Sequence, residues 1–355
     1  MKILLIRFSA LGDVAMLAPV VREVVEQHDD VEVTVVSRPF CAPFFEGISE
    51  RVTFMPVDPK KGEYKGMKGM WRLFRRLHTE HFDYVCDMHD VLRTKLLRLF
   101  FTLAGYKVSH INKHRELRKL ITAQGEKKQL MQLPTSFENY REALPSLIHN
   151  SEFRIHNCHP AETAKRPNDQ TTKRLNDQTT KRLCVAPFAA HAGKIYPLDK
   201  MHRVVELLIE RQPDVRIMLF GGGGDEAKLM MEWEREFPSN VEAVSVHLQE
   251  RRKQEPDFVP MREELRLMSE ASVMISMDSG NMHMASLVGT RVVSIWGATH
   301  PKAGFLGWKQ SPDDCVQVDL PCRPCSIFGN KPCLRGDMAC MNQITPEMIV
   351  EKVFK

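Results

Sequence analysis

The sequence predicts an α/β protein built from two doubly wound domains. Three observations carry this: short apolar, β-branched runs alternate with amphipathic helical patterns, the alternation occurs in two sets, and a polar tandem repeat separates the sets. A chain of 355 residues exceeds what one hydrophobic core ordinarily sustains. With 43% hydrophobic and 27% charged residues the composition is that of a globular protein, and no apolar run approaches the ~20 residues of a membrane-spanning helix. A soluble protein is expected.

The first strand is expected at 2–7, ending in Ser9-Ala10-Leu11-Gly12-Asp13. Its apolar run is too short for the core of a signal peptide, and no small-residue cleavage site follows. Val14, Leu17, Val20, Val21, Val24 and Val25 then mark a helix. Further strands are expected at 31–36, 52–55 and 84–88, with a helical pattern at 71–78. In the second half, strands are expected at 183–188, 215–220, 243–246, 273–277 and 292–296. The clearest helices there are at 201–209, 225–236 and 263–269.

Asn168–Leu175 is repeated at once as Asn176–Leu183. So polar a tandem segment cannot build a core, which makes 160–182 a linker or surface loop. The expected domains are therefore 1–159 and 183–344, the latter with a cysteine-rich tail, followed by a terminal helix at 345–355. Ligands of such sheets sit outside the carboxyl ends of the strands, which points to the cleft between two facing domains.

The formal net charge is +5, but basic residues are concentrated between Leu92 and Lys119. Arg93, Lys95, Arg98, Lys107, Lys113, Arg115, Arg118 and Lys119 stand there against one acid, Glu116. Such a stretch suits phosphates or an anionic membrane, or forms a solvated helical face. Nine cysteines without a secretion signal indicate a reducing, cytoplasmic setting.

Five constellations carry chemistry. Gly12-Asp13 places a carboxylate where a helix begins, as a cap or as a general base. Asp278-Ser279-Gly280-Asn281-Met282-His283 follows an apolar strand, and small residues before a helix N-terminus suit a diphosphate. There too, capping by Asp278 or Ser279 and simple packing of His283 are alternatives. Lys194, in the loop from Phe188, is either a phosphate partner that offsets leaving-group charge or a solvated lysine. The turn Gly221-Gly222-Gly223-Gly224-Asp225-Glu226 permits close ligand approach but matches neither a dinucleotide fingerprint nor a P-loop. Finally Cys322, Cys325, Cys333 and Cys340 cluster near the C-terminus, either as a structural zinc site or as thiols or disulfides.

Taken together, residues 2–13, the Asp278-Ser279-Gly280 motif with His283, Gly297-Ala298-Thr299, and the cysteine tail with Ile344-Thr345-Pro346-Glu347 resemble glycosyltransferase family 9, the ADP-heptose:lipopolysaccharide heptosyltransferases. The resemblance covers nearly the whole chain apart from the repeat. It implies the GT-B architecture, two Rossmann-like domains facing a central cleft, with the acceptor on the first and the nucleotide-sugar on the second. It further implies inverting transfer with Asp13 as base and Lys194 at the donor phosphates. Gly12, Glu226 (or Asp225), Asp278, Ser279, Gly280 and His283 are expected at the donor, and Ser9, Arg93, Lys95 and Arg98 at the acceptor. The implied partners are ADP-heptose, a lipid-anchored saccharide and the anionic inner face of the inner membrane, without nucleic acid. No catalytic metal or cofactor is implied. Another nucleotide-hexose donor, or nucleotide-sugar binding without turnover, is the rival reading.

Overall fold

The structure is a computed structural model that describes residues 1–149 and 182–355. The tandem repeat and the expected linker lie outside the described residues, apart from Arg182 and Leu183 at the start of a strand. The described chain divides into two compact units. The first holds Met1–His114 and the chain from Pro134 to 149. The second holds Arg115–Leu133 and 182–355.

The first unit is built on a five-stranded parallel sheet: β1 (Lys2–Ile6), β2 (Glu32–Ser37), β3 (Val52–Pro56), β4 (Tyr84–Asp87) and β5 (Lys107–His110), in the order β3-β2-β1-β4-β5. Helix α1 (Leu11–Gln27) follows β1 and buries the apolar face that its sequence pattern marks. Helices α2 (Gly66–His78) and α3 (Leu92–Leu103) bury Leu73, Phe74, Leu77, Leu97 and Phe101 in one core with Leu4, Ile6 and Val85 of the sheet.

Arg115–Leu133, expected in the first domain, packs with the second unit. It contains helix α4 (Arg115–Ile121). The Arg118 guanidinium lies 5.4 Å from the Phe305 ring centre and 5.8 Å from that of Phe328. Lys128 Nζ donates to the Pro324 carbonyl at 3.0 Å, and the Leu133 amide donates to that of Lys302 at 2.8 Å. Helices α5 (Ser136–Glu142) and α6 (Ser146–His149) return to the first unit. Thr135 and Glu138 form a reciprocal capping box that starts α5.

The second unit has six parallel strands: β6 (Arg182–Ala186), β7 (Arg216–Leu219), β8 (Val241–Glu242), β9 (Val273–Met277), β10 (Arg291–Ile295) and β11 (Cys315–Val316), in the order β11-β10-β9-β6-β7-β8. Every residue of β9 is buried, as expected of a central parallel strand that is apolar except for Ser276. Its helices are α7 (Leu198–Arg211), α8 (Asp225–Glu236), α9 (Val244–Gln254), α10 (Pro260–Ser269), α11 (Gly280–Leu287), α12 (Ala339–Asn342) and α13 (Pro346–Val353). The strand expected at 243–246 is instead the first turn of α9. A short apolar run there does not distinguish strand from helix, and the polar residues that follow continue the helix.

The order of each sheet reverses once, beside β1 and β4 in the first and beside β6 and β9 in the second. The carboxyl ends of these strand pairs are the topological switch points, where open parallel sheets bind ligands.

Phe101 is fully buried and meets Phe74 and Tyr106 edge-on, with ring centres 5.0 and 5.1 Å away. Phe101→Ala is expected to destabilise the first unit by about 3–5 kcal/mol, read by urea denaturation.

Candidate active site

At the switch point of the second sheet, the loop after β6 brings Lys194 to Asp278, which follows β9. Lys194 Nζ lies 2.7 Å from Asp278 Oδ2, and the side chains are 15% and 4% exposed. The loop is held by close backbone packing. The Gly193 amide donates to the Gly329 carbonyl at 3.1 Å, and the Ala298 amide donates to that of Gly193 at 2.9 Å. A Cβ at Gly193 would stand 2.7 Å from the Gly329 oxygen and 2.9 Å from the Ala298 Cβ, so only glycine fits. Ser279 precedes α11 but its side chain makes no cap. Its Oγ instead shares a hydrogen bond of 2.9 Å with Ser276 Oγ. Gly280 opens that helix, and His283 is buried in its first turn.

The glycine turn after β7 lies in the same sheet. A Cβ at Gly221 would stand 2.8 Å from the Phe188 ring, and Gly224 has φ +66. Glu226 Oε2 accepts from the Gly222 amide at 2.6 Å, so this carboxylate closes its own turn, while Asp225 pairs with Lys228 at 2.8 Å on the surface. Any grip of Glu226 on a ligand hydroxyl must therefore compete with the Gly222 amide. The sequence reading missed Ser245 and Glu264. The Gly221 amide donates to Ser245 Oγ at 3.3 Å, and that hydroxyl donates to Glu264 Oε1 at 2.7 Å. Burial holds the Glu264 carboxyl above the usual range despite this bond.

At the switch point of the first sheet, the segment after β1 meets the segment after β4. Arg7 is buried, and its Nη2 pairs with Asp13 Oδ1 at 2.8 Å while Nη1 donates to the Met88 carbonyl. Asp13 Oδ2 accepts from the Ala10 amide at 3.2 Å, at the start of α1. Asp13 thus takes a capping bond and an ion pair together, and the Tyr140 hydroxyl donates to its backbone carbonyl at 2.9 Å. Burial opposes the Arg7 charge, but the pull of Asp13 above all keeps the guanidinium protonated beyond its ordinary range.

Ser9 Oγ lies 3.2 Å from His89 Nε2. Burial, with Arg7 and Lys113 nearby, pushes the His89 pKa down to about 3, so the ring is neutral. Asp87 Oδ1 accepts from the amides of His89 and Asp90 at 3.0 and 2.9 Å. Arg7 Nε, His89 Nδ1 and Asp87 Oδ2 are buried without hydrogen-bond partners among the described residues.

Arg98 turns towards this group, 3.5 Å from Asp87 and 3.6 Å from Asp90, and Lys95 lies 3.5 Å from Asp90. Arg93 is exposed. The basic stretch from Leu92 to Lys119 is divided in the fold, since Arg115, Arg118 and Lys119 belong to the second unit. Spacing did not single out Asp87 at the end of β4 or His89 just after it, and Arg7 entered only as part of the segment 2–13.

Cys322, Cys325, Cys333 and Cys340 line one small pocket with Arg323. The eight described cysteines are free thiols. Burial acts against ionisation of Cys333, but the amides of Met338, Arg335 and Gly336 outweigh it and hold the thiol below its usual range. Burial pushes Cys340 up to about 11. Among the described residues, ligand atoms within 4.8 Å of one another come from His202, Glu206 and Glu236 rather than from these cysteines. The thiolate-favouring nest at Cys333 fits a soft metal, and a tetrahedral site would need the sulfurs drawn together.

The family described as Glycosyltransferase family 9 (heptosyltransferase) matches residues 70–331. Lipooligosaccharide heptosyltransferase 2 of Campylobacter jejuni is 31% identical over 81 residues, 23% of this chain and 24% of that protein. The chain therefore spans about a quarter of the length of this curated relative in the match. Among solved structures, the ADP-heptose lps heptosyltransferase II of E. coli is similar with TM-score 0.61 and 16% identity, over 99% of this chain and 97% of that one. A family 9 glycosyl transferase from Veillonella parvula is similar with TM-score 0.64 and 14% identity, over the same shares. At these identities the structures speak for the fold, which is GT-B-like with two parallel-sheet α/β domains.

Two outcomes follow from this geometry. Gly193→Ala is expected to displace Lys194 and weaken ADP binding at least tenfold in calorimetry, with the circular dichroism of the fold retained. As pH falls from about 6.5 towards about 3, the unfolded chain takes up a proton that folded His89 refuses, so this residue's contribution to stability is lost on acidification and constant above pH 6.5. His89→Gln is expected to flatten the acid side of the stability profile by up to about 1.4 kcal/mol per pH unit.

Proposed function

Since the chain belongs to glycosyltransferase family 9 (heptosyltransferase), we propose that it moves a heptose from ADP-heptose to a lipid-anchored inner-core saccharide of lipopolysaccharide. The reaction would take place in the cytoplasm, at the inner face of the inner membrane. The observation that carries this reading is the Lys194–Asp278 pair at the N-terminus of α11, on the switch point of the second sheet. A donor of this kind is named in the description of the similar E. coli enzyme.

In this reading the diphosphate of the donor lies against the first amides of α11, beside Ser279 and Gly280. Lys194 exchanges part of its attraction to Asp278 for the phosphate oxygens, and that attraction grows as the leaving group gains charge. Asp13 is the base. Arg7 orients its carboxylate, and the oxygens retain lone pairs beyond the bonds from Arg7 and Ala10.

The transfer is a single displacement with inversion. The acceptor oxygen bonds to the anomeric carbon, the bond from that carbon to the diphosphate breaks with its electron pair going to ADP, and the acceptor proton passes to Asp13. Gly12 and His283 shape the donor site, and Glu226 reaches a hydroxyl by releasing Gly222. Ser9, Arg93, Lys95 and Arg98 face the acceptor in this reading. No metal takes part in the transfer. Cys322, Cys325, Cys333 and Cys340 would hold a structural zinc, which would tie the C-terminal tail together.

Calorimetry with ADP, UDP and NAD tests the donor. Selective ADP binding is expected, weakened at least tenfold in Lys194→Ala and partly restored in Lys194→Arg. Removing the lysine leaves Asp278 buried without its counter-charge, so Asp278→Asn in the Lys194→Ala background separates lost folding from lost phosphate contact. Asp13→Asn is expected to bind ADP as the wild type does while transfer falls by a factor of about 10³ or more. Preference for UDP would change the donor, and binding of NAD alone would overturn the reading. Elemental analysis of the purified protein without stoichiometric zinc would end the metal assignment.

A further inference from the structure

Helices α2 and α3 pack side by side in the first unit and are apolar on their outer as well as their inner faces. On α3 the inner face is Thr94, Leu97 and Phe101. Leu92, Leu96, Leu99 and Leu103 recur at helical spacing on another stripe, with Leu92 85% and Leu103 77% exposed. On α2, Met67 is 78% exposed, and Trp71 one turn later is exposed as well. The Trp71 ring meets Phe100 edge-on with centres 5.1 Å apart, and Phe100 is one turn from Leu96 and Leu103, so the two outer faces form one surface. Soluble monomers rarely leave so large a contiguous apolar patch in water.

The charge around this patch has one sign. The two helices carry seven lysines and arginines and no acid. Lys95 and Arg98 turn to Asp90 and Asp87, and Arg76 pairs with Glu80. Lys68, Arg72 and Arg75 remain at the exposed border, one helical turn or less from Trp71. Exposed leucines, a half-exposed tryptophan and a rim of cations make an interfacial surface: the side chains enter the acyl boundary, the indole sits at headgroup depth, and the cations meet lipid phosphates.

We propose that the outer face of α2 and α3 is the membrane-docking surface of this protein and that its partner is a bilayer of anionic phospholipid. The surface contains no residue of the Lys194 or Asp13 groups and is independent of the identity of the donor.

The test is sedimentation of the full chain with phosphatidylcholine vesicles, with and without phosphatidylglycerol, in the absence of nucleotide and acceptor. Binding to the anionic vesicles is expected, reduced but not abolished by added salt. Leu92→Glu with Leu103→Glu is expected to weaken it at least tenfold, with ADP affinity unchanged and the urea denaturation profile of the wild type retained, which shows that the variant folds. Both leucines are exposed, so the substitution leaves the core intact. With brominated acyl chains, fluorescence quenching is expected in the wild type and reduced in Trp71→Phe. Equal sedimentation of the wild type and the double variant, or no binding to anionic vesicles at all, would overturn the proposal. A shift from dimer to monomer in the double variant, without vesicle binding by the wild type, would assign the face to a second copy of the chain instead. None of these outcomes depends on sugar transfer, so failure here leaves the donor reading standing, and the reverse also holds.

Discussion

The constraint on which the rest depends is all-parallel pairing with one reversal of strand order in each sheet. A parallel strand must be followed by a crossover, and at a reversal the crossovers leave in opposite directions, so the carboxyl ends of two neighbouring strands stay uncovered. Both charge groups of the protein stand at these openings. Arg7 and Asp13 follow β1 and face the residues after β4, while Lys194 follows β6 and faces Asp278 after β9. The chain supplies partners from distant sequence positions because the sheet brings two strand ends together.

Burying such charges costs free energy, and the pairs are not placed where they would best stabilise the fold. Asp278 is nearly inaccessible yet has one close cation. Among the described residues, Arg7 Nε and His89 Nδ1 make no hydrogen bond, and Asp87 Oδ2 has only the Arg98 ion pair, in a region otherwise rich in hydrogen bonds. Polar groups packed this tightly and incompletely satisfied mark a place kept for a ligand more readily than for structure. The neutral His89 and the cationic Arg7 differ in this respect although they are close neighbours: burial removes the charge from one, and a carboxylate preserves it on the other.

Much of the fold was legible because buried parallel strands are mostly apolar, as in β1 and β9, where only Lys2 and Ser276 are polar. What escaped lacked that signal. β5, Lys-Val-Ser-His, has one apolar residue and lies at a sheet edge, and β11 is two residues long. The run at 243–246 was apolar enough for a strand, but its Ser245 is the hydroxyl that joins Gly221 to Glu264 from a helix. At the candidate site, spacing found Asp13, Lys194 and Asp278 one by one. That Lys194 reaches Asp278 depends on close packing of Gly193 against Gly329, which no local pattern records. The capping reading of Asp13 is seen in the structure, where one carboxylate oxygen takes the Ala10 amide and the other the Arg7 guanidinium.

The membership of Arg115–Leu133 in the second unit makes neither unit a continuous stretch of chain. During synthesis this segment leaves the ribosome before Phe305, Pro324 and Phe328, so its contacts with them form only when nearly the whole chain is made. The first unit can complete its sheet early, whereas the second must recover a piece that emerged long before. Exchange between relatives by cutting at the repeat would hand each half a mismatched α4. The recombination unit of this protein is therefore larger than either of its sheets.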